Sequence, residues 1–259
     1  MNQETNNKSI IRVAMLAGKI MLENGAETYR VEDTMERICY ISGILSADTY
    51  ATPTGIFLSV RTDTYDYSTS IKRVHTRTTD LYKVNMVNDV SRKLVSKEIS
   101  LSEALDILEN LDEKNTLPPF LSVSSAGICS GIFALLSGGS LTDGIITAFS
   151  GALIQFISLF TSARNISFFL GNMMAGAVAA VIGIIFSIIF KIGNLDKIII
   201  GSIIPLLPGL AITSAIRDTI YGDLVSGTVR GVEAILIAVS IASGVGIILR
   251  TWFIITGGL

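Results

Sequence analysis

The sequence predicts a membrane protein: a five-span α-helical bundle that follows an N-terminal cytoplasmic α+β domain, with a small antiparallel three-stranded sheet and about four helices. The charges predict this division, because residues 1–119 hold 31 of the 42 charged side chains and residues 120–259 hold only 11. The second part is dominated by long runs of Ile, Leu, Phe, Ala and Gly, which are favourable only in the hydrocarbon core of a bilayer. Pro118-Pro119 marks the change in composition. We therefore expect domains at residues 1–117 and 118–259.

The N-terminal part alternates between helical and strand-like patterns. Apolar residues at helical spacing follow Ser9, and Asn24-Gly25 supplies a left-handed end to this first helix. Runs rich in β-forming residues follow, and Pro53-Thr54-Gly55 interrupts them. We expect helices at residues 9–24, 26–41, 80–96 and 101–112, and strands at residues 45–52, 56–62 and 67–75.

Composition excludes several classes of function. A net charge of −2 without a Lys/Arg-dense stretch argues against binding to nucleic acid. Cys39 and Cys129 have no CxxC neighbour, so we expect free thiols in a reducing cytoplasm. The polar start of the chain has no signal-peptide pattern. His75 is the only histidine and no GxSxG is present, so we expect no metal site, no cofactor and no enzyme chemistry.

The segment LENGAETYRVEDTMERI, residues 22–38, is dense in charge and could suggest a catalytic cluster. Glu27 and Arg30, like Glu32 and Glu36, are helical neighbours that would pair on a solvated face. We therefore interpret this segment as the charged surface of the second helix.

Five apolar runs in the second part are long enough to cross a bilayer. The intervening loops are short, which predicts a compact bundle. With the first domain inside, the loops at Arg164 and at residues 217–230 are also inside, an orientation that the positive-inside rule favours weakly. We expect the spans at residues 120–137, 145–160, 166–190, 198–216 and 231–249.

Small residues recur every four positions in two of these spans, which is typical of close helix packing in membranes. The stripe in the third span consists of Gly171, Ala175, Ala179 and Gly183, and that in the fifth of Ala234, Ala238 and Ala242. We interpret both as packing surfaces.

The fourth span is interrupted by Pro205, Pro208 and Gly209. Each proline removes a backbone donor, so the stretch predicts a broken or kinked helix whose freed carbonyls need protein, water or an ion. Breaks of this kind at membrane depth are tolerated where they line a cavity.

Five charged residues follow the break, and they could not all face lipid at a cost on the order of 2.5 to 3.5 kcal/mol each. Two interpretations remain open. Either they pair within a structural loop at the cytoplasmic interface, as Arg217/Asp223 and Arg230/Glu233, or they line a polar vestibule leading to the break. The five are Arg217, Asp218, Asp223, Arg230 and Glu233.

Two segments carry a resemblance to a known family: MLENGAETYRVEDTMERI (21–38) and IIPLLPGLAITSAIRDTIYGDLVSGTVRGVEA (203–234). Together they resemble the threonine/serine exporter family, specifically its larger half, across essentially the whole chain. The resemblance implies a secondary exporter that moves a small hydrophilic metabolite out across the bacterial inner membrane, driven by protons. It implies transport residues at the family's PxxPG, Arg-Asp and Gly-Asp elements: Pro205, Pro208, Gly209, Arg217, Asp218, Gly222 and Asp223.

From these residues we expect Arg217 and Arg230 to attract a substrate carboxylate, and Asp218, Asp223 or Glu233 to exchange a proton or hold an ammonium group. The substrate is a threonine- or serine-like amino acid or a dicarboxylate, which paired arginines would also bind. The chain ends after its fifth span, which resembles split systems, so a separate small multi-span protein of the same family is the expected partner. The chain could also assemble as a homo-oligomer. Two other functions remain open: a membrane-tethered hydrolase, and a regulatory or scaffold subunit of a membrane complex.

Overall fold

The computed structural model describes residues 3–41, 44–63, 67–75, 78–113, 117–164 and 166–257. The chain divides into two compact units. Unit 1 comprises Met1–Thr116 and Leu210–Gly231, and unit 2 comprises Leu117–Gly209 and Val232–Leu259. Residues 210–231, which the sequence assigns to the membrane bundle, thus group by their contacts with unit 1.

Unit 1 contains the predicted three-stranded antiparallel sheet, whose strands pair in chain order, which confirms this part of the fold class. The helices of its N-terminal part are α1 (Gln3–Glu23), α2 (Thr28–Cys39), α3 (Leu81–Val95) and α4 (Leu101–Glu113). The strands are β1 (Ile44–Thr52), β2 (Gly55–Thr62) and β3 (Ser68–Arg73).

Helix α1 is the centre of the core of unit 1. Its apolar positions at helical spacing, among them Ile10, Val13 and Ile20, are fully buried, and α1 packs on α2, α4 and β2. Gly25, at φ +92°, ends the turn after α1 in the left-handed region that glycine favours. This turn directs the chain into α2.

The two cysteines are free thiols among the described residues, as predicted. Cys39 is buried at the end of α2, and burial raises the pKa of its thiol to about 12. The neighbouring Glu36 carboxylate adds to this shift. Cys39 is therefore a core residue without thiolate character at neutral pH.

Four helices of the described chain are long and apolar enough to cross a membrane, and a bent helix pair makes a fifth if it counts as one span. The four are α5 (Pro119–Leu136), α6 (Leu141–Ala163), α7 (Phe168–Ile184) with the π-helical turn Ile185–Ile189, and α10 (Leu224–Thr256). The predicted count of five spans is therefore reached only when the bent pair counts as one span. Helix α10 begins at Leu224, seven residues before the predicted start of the last span, so the predicted span lies within a longer helix.

The bent pair is the predicted broken span. Helix α8 (Leu195–Ile203) continues as a 3-10 turn (Ile204–Leu206), and α9 (Gly209–Ile220) follows at an angle of 55°. Pro205 and Pro208 cannot donate to the preceding turn, so the α-helical ladder ends where the sequence predicts. Leu207 is extended at φ −64° and ψ 134°, as expected for a residue before proline.

The small-residue stripes have different outcomes in the two helices. In α7, Ala175 and Ala179 are buried as predicted. In α10, Ala234 is buried, whereas Ala238 and Ala242 are exposed, so only the first position of the predicted stripe packs within the chain. The close approach instead uses Gly244, where a Cβ would overlap the Met173 carbonyl oxygen. Glycine permits this backbone contact because it has no side chain to hold the helices apart.

Candidate functional site

The charged residues after the break lie on a helical hairpin, which we define as residues 210–231. It consists of α9, a turn at residues 221–223 and the first two turns of α10. Of the two interpretations left open by the sequence, the structural loop is therefore wrong, because residues 217–230 are helical except at this turn. Gly222 closes the turn at φ +94°, and a Cβ at Gly227 would lie 3.0 Å from the Ala215 carbonyl oxygen, so the two helices pack backbone to backbone.

Arg230 and Asp218 form the buried centre of this hairpin. The Arg230 Nε atom lies 3.1 Å from Asp218 Oδ2, and their side chains are 10% and 0% exposed. Arg230 Nη2 also donates to the Ala26 carbonyl oxygen at 2.8 Å. A single guanidinium thus joins α10 to α9 and to the start of α2.

Thr28, the first residue of α2, lies between two carboxylates of the hairpin. Its hydroxyl oxygen is 3.2 Å from Asp218 Oδ1 and 2.9 Å from Asp223 Oδ2. A hydroxyl has one proton to donate, so it can satisfy only one of the two acceptors at a time. The hydroxyl of Thr28 therefore links two neighbouring carboxylates of the hairpin.

Glu27 and Arg217 form a second ion pair, through Glu27 Oε1 and Arg217 Nη1. The other Glu27 oxygen accepts from Arg30 at 3.3 Å. Glu27 is 13% exposed, whereas Arg217 is 50% exposed, so the carboxylate is enclosed and the guanidinium remains accessible. The rings of Tyr29 and Tyr221 stack at 4.7 Å beside this pair.

A cavity of about 210 Å³ lies beside these groups in unit 1. It is smaller than the roughly 300–1,000 Å³ of drug-sized sites, which suits a small metabolite. Its lining includes Glu27, Arg30, Leu81, Leu210, Ser214 and Arg217. Two guanidinium groups and one carboxylate therefore face a pocket that also has apolar walls.

The interpretation of residues 22–38 as a solvated surface is wrong for three partly buried acids, Glu27, Glu32 and Glu36. Glu32 accepts a hydrogen bond from the Ala51 backbone amide at 2.7 Å. Glu36 accepts one from the Thr49 hydroxyl, also at 2.7 Å. These contacts join α2 to β1. The pair Arg37 and Asp33, in contrast, is exposed as predicted.

Glu32 is a carboxylate of α2 whose pKa is clearly shifted. Burial raises its pKa above the ordinary value, although the Ala51 amide acts in the opposite direction. The carboxylates of Asp223, Glu36 and Asp218 raise it further. The start of α2 and the hairpin therefore form one connected acidic environment, which Arg230 offsets through Asp218.

The structure brings four of the predicted site residues together, namely Arg217, Asp218, Asp223 and Arg230. Pro205, Pro208 and Gly209 form the helix break, and Glu233 is half-buried on α10, one turn after Arg230. The sequence reasoning did not assign a role to Ala26, Thr28 or Tyr29, which contact the hairpin. Within the described ranges, no group of three or more His, Cys, Asp or Glu side chains could hold a metal ion.

Several apolar spans, one of them broken at prolines and followed in the chain by a hairpin with a buried ion pair, are typical of a multi-span membrane protein of the transporter class. The chain belongs to the threonine/serine exporter family, because the family model described as "Putative threonine/serine exporter" matches residues 12–252. This is a family of transporters, so the chain is not an enzyme.

Three relatives show how the chain compares with longer and equal-length proteins. A "Probable threonine/serine exporter" of Mycobacterium tuberculosis is 20% identical over 95% of this chain and 47% of its own length. A "Probable succinate transporter subunit YjjP" of Escherichia coli is 21% identical over 96% of this chain and 97% of its own length. A "Pheromone-regulated membrane protein 10" of Candida glabrata is 25% identical over 88% of this chain and 29% of its own length. The chain thus spans about half of the mycobacterial relative, and no solved structure matches it.

Proposed function

We propose that this chain is a component of a secondary exporter that moves a small hydrophilic metabolite out across a bacterial inner membrane. Family membership supports this role, and one structural observation carries it. The broken span at Pro205 and Pro208 leads directly along the chain into a hairpin with a buried ion pair, Arg230 and Asp218. Discontinuous helices with nearby polar groups are a recurring device of secondary transporters.

The proposed first contact for substrate is the cavity beside Arg217. The Arg217 guanidinium is half exposed. The Arg230 guanidinium, in contrast, is enclosed and is held by Asp218 and by the Ala26 carbonyl oxygen. Arg217 and Arg30 are therefore the groups that attract a substrate carboxylate, and Glu27 holds an ammonium group. Arg230 keeps the hairpin folded and positions Asp218, a different role from the one expected from sequence.

The proposed proton-exchanging groups are Asp223 and Glu233. The hydroxyl of Thr28 can donate to Asp218 or to Asp223 but not to both. Through this shared hydroxyl Asp223 lies close to the Asp218 carboxylate, and two neighbouring carboxylates are a common arrangement for taking up and releasing one proton. Glu233 lies further along α10, where an ionisable group in an apolar run is a functional candidate by default.

The proposed orientation places the N-terminal part of unit 1 in the cytoplasm, where it takes up substrate for export. The substrate class is a threonine- or serine-like amino acid or a dicarboxylate. The printed names of the mycobacterial and E. coli relatives support one alternative each.

We further propose a partner, a separate small multi-span membrane protein of the same family. Two comparisons support it: the E. coli relative of equal length is described as a transporter subunit, whereas the mycobacterial relative is about twice as long as the matched region. The longer mycobacterial chain would then contain, in one protein, both parts of the transporter that this chain and its partner form together. A homo-oligomer is an alternative assembly.

An efflux experiment tests the proposal. Cells loaded with threonine, serine or succinate are compared with and without this chain, alone and together with the small partner. We expect faster loss of at least one substrate only when both proteins are present. A scaffold subunit would bind the partner but export would not change when Arg217 is neutralised, and that result would overturn the proposed function.

A further inference from the structure

Three buried hydroxyl groups in unit 2 form what we call the hydroxyl cluster: Ser130 of α5, and Thr147 and Ser150 of α6. All three residues are 0% exposed. Within the described part of the chain, their side-chain oxygens have no hydrogen-bond partner. The charged hairpin contains none of these residues, so the cluster is separate from the site described above.

Such hydroxyls usually have a local partner. In a membrane helix, serine commonly donates to a carbonyl oxygen one turn earlier. Two buried serines of unit 2 do so at 2.6 Å, Ser202 to the Ile198 oxygen and Ser240 to the Leu236 oxygen. The hydroxyl cluster departs from this pattern, and a buried polar group without a partner calls for an explanation.

The cluster lies where α8 crosses α5 and α6. A Cβ at Gly201 of α8 would lie 2.6 Å from Thr147 Cγ2 and 3.3 Å from the Ser130 carbonyl oxygen. The Ser130 side chain in turn packs against Gly151, the residue after Ser150. The 3-10 turn with Pro205 follows α8 and also contacts α5 and α6. The unsatisfied hydroxyls therefore lie at the broken span.

The surroundings of the cluster are electrically neutral. Helix α5 contains no charged residue, and α6 contains only Asp143, in its first turn. In α8, Asp196 and Lys197 also lie in the first turn. A ligand at the cluster would therefore meet hydroxyl groups and backbone, which can hydrogen-bond but cannot offset two negative charges.

We propose that the hydroxyl cluster is a substrate subsite in the transport path, which takes the hydroxyl and ammonium groups of a small hydroxylated amino acid. This inference rests on the proposed function and selects an amino acid over a dicarboxylate. The tight contacts at Gly151 and Gly201 mean that the subsite is closed in this structure. It opens when α8 separates from α5 and α6, and the three hydroxyls then gain a partner.

Helix α8 is built so that it can move as a unit. It has nine residues and is bounded by the break on one side and by Gly193, at φ +82°, on the other. Its first residues are held by polar contacts, from the Asn194 amide to Asp143 at 2.6 Å and from Lys197 to the Ser137 carbonyl oxygen. Discontinuous helices of this kind change position in alternating access.

The test uses Ser130→Ala, Thr147→Val and Ser150→Ala in the full chain with its partner, and Ser240→Ala is the matched control. Melting temperature and the concentration dependence of threonine and succinate export are measured for each. Because removal of an unsatisfied hydroxyl does not harm folding, we expect unchanged or higher melting temperatures. We also expect a three- to tenfold higher half-saturating threonine concentration, the equivalent of one lost hydrogen bond.

The outcomes separate this inference from the function on which it rests. Absence of export by the unaltered chain with its partner would overturn both. Export of threonine that is unchanged in all three cluster variants would overturn the subsite alone. Export of succinate with no export of threonine would overturn the assignment of substrate class. A labelling experiment adds a direct measurement, made in a chain in which Cys129→Ser removes the exposed free thiol. We expect Ser150→Cys to be protected from a thiol reagent by threonine, and equal labelling with and without threonine would contradict the subsite.

Discussion

Arg230 and Asp218 form an ion pair, with Nε and Oδ2 3.1 Å apart and both side chains almost completely enclosed. A buried pair of this kind is weak support for stability as such, because both charges are taken out of water. Removal of one partner is a different matter, since it leaves the other charge enclosed without compensation. A single substitution at either residue is therefore expected to destabilise the whole hairpin.

We predict that Asp218→Asn lowers the free energy of unfolding by about 3 kcal/mol, because Arg230 stays buried without this carboxylate. The matched control is Asp33→Asn, which breaks an exposed pair with Arg37 and is expected to cost less than about 1 kcal/mol. Denaturant unfolding of the purified protein in detergent measures both. Equal, small effects for the two variants would contradict the burial argument.

A second prediction concerns Thr28, whose hydroxyl lies between Asp218 and Asp223. Thr28→Val keeps the shape of the side chain but removes the donor, and we expect a loss of about 1.5–3 kcal/mol, typical of a hydrogen bond to a charged group. Thr28→Ser retains the hydroxyl and is expected to retain most of the stability. If valine and serine behave alike in thermal unfolding, the hydroxyl has no such role.

The Glu27 and Arg217 pair allows a test that separates structure from transport. We expect Arg217→Glu alone to reduce both stability and export. Combining it with Glu27→Arg restores the pair, so we expect a coupling of about 1 kcal/mol in stability. Export should stay low, because the guanidinium no longer projects from α9 into the cavity. Full recovery of export together with stability would mean that the pair is only structural.

The raised pKa of Glu32 predicts that the stability of the protein depends on pH. Burial raises its pKa above the ordinary value of 4.5, so the folded protein binds this proton more tightly than the unfolded chain. The stabilising contribution is complete below pH 4.5 and is lost as the pH rises through the higher folded-state pKa. We therefore expect Glu32→Gln, which keeps an acceptor for Ala51, to become more stable relative to the unaltered chain as the pH rises above 4.5. The exposed Glu103→Gln should show no such trend.

The break in the fourth span could be predicted from sequence because proline acts locally. Pro205 and Pro208 remove their own donors, whatever the rest of the chain does. The three-stranded sheet could be predicted for a similar reason, since the Pro53 turn and the flanking β-forming runs are adjacent. Local chemistry thus determined both features.

The half of the site contributed by α2 could not be predicted in the same way. Helical spacing places Glu27 and Thr28 on the surface of α2, but it does not show which distant segment covers that surface. The covering residues come about 190 positions later, as for Thr28 and Asp218. Likewise, the charges from Arg217 to Arg230 suggested a loop, whereas Arg217, Asp218 and Arg230 lie within helices because they have partners there.

The most direct test of the account is the rate of threonine export with and without a pH gradient, in the full chain with its partner. We predict that the unaltered chain with its partner stops exporting threonine when the pH gradient is removed. The double variant Asp223→Asn with Glu233→Gln should export at a low rate under both conditions. Asp106→Asn with Glu103→Gln, which neutralises two exposed acids of α4, should behave like the unaltered chain. Export at the unaltered rate by the Asp223/Glu233 variant, at equal membrane abundance, would contradict the account.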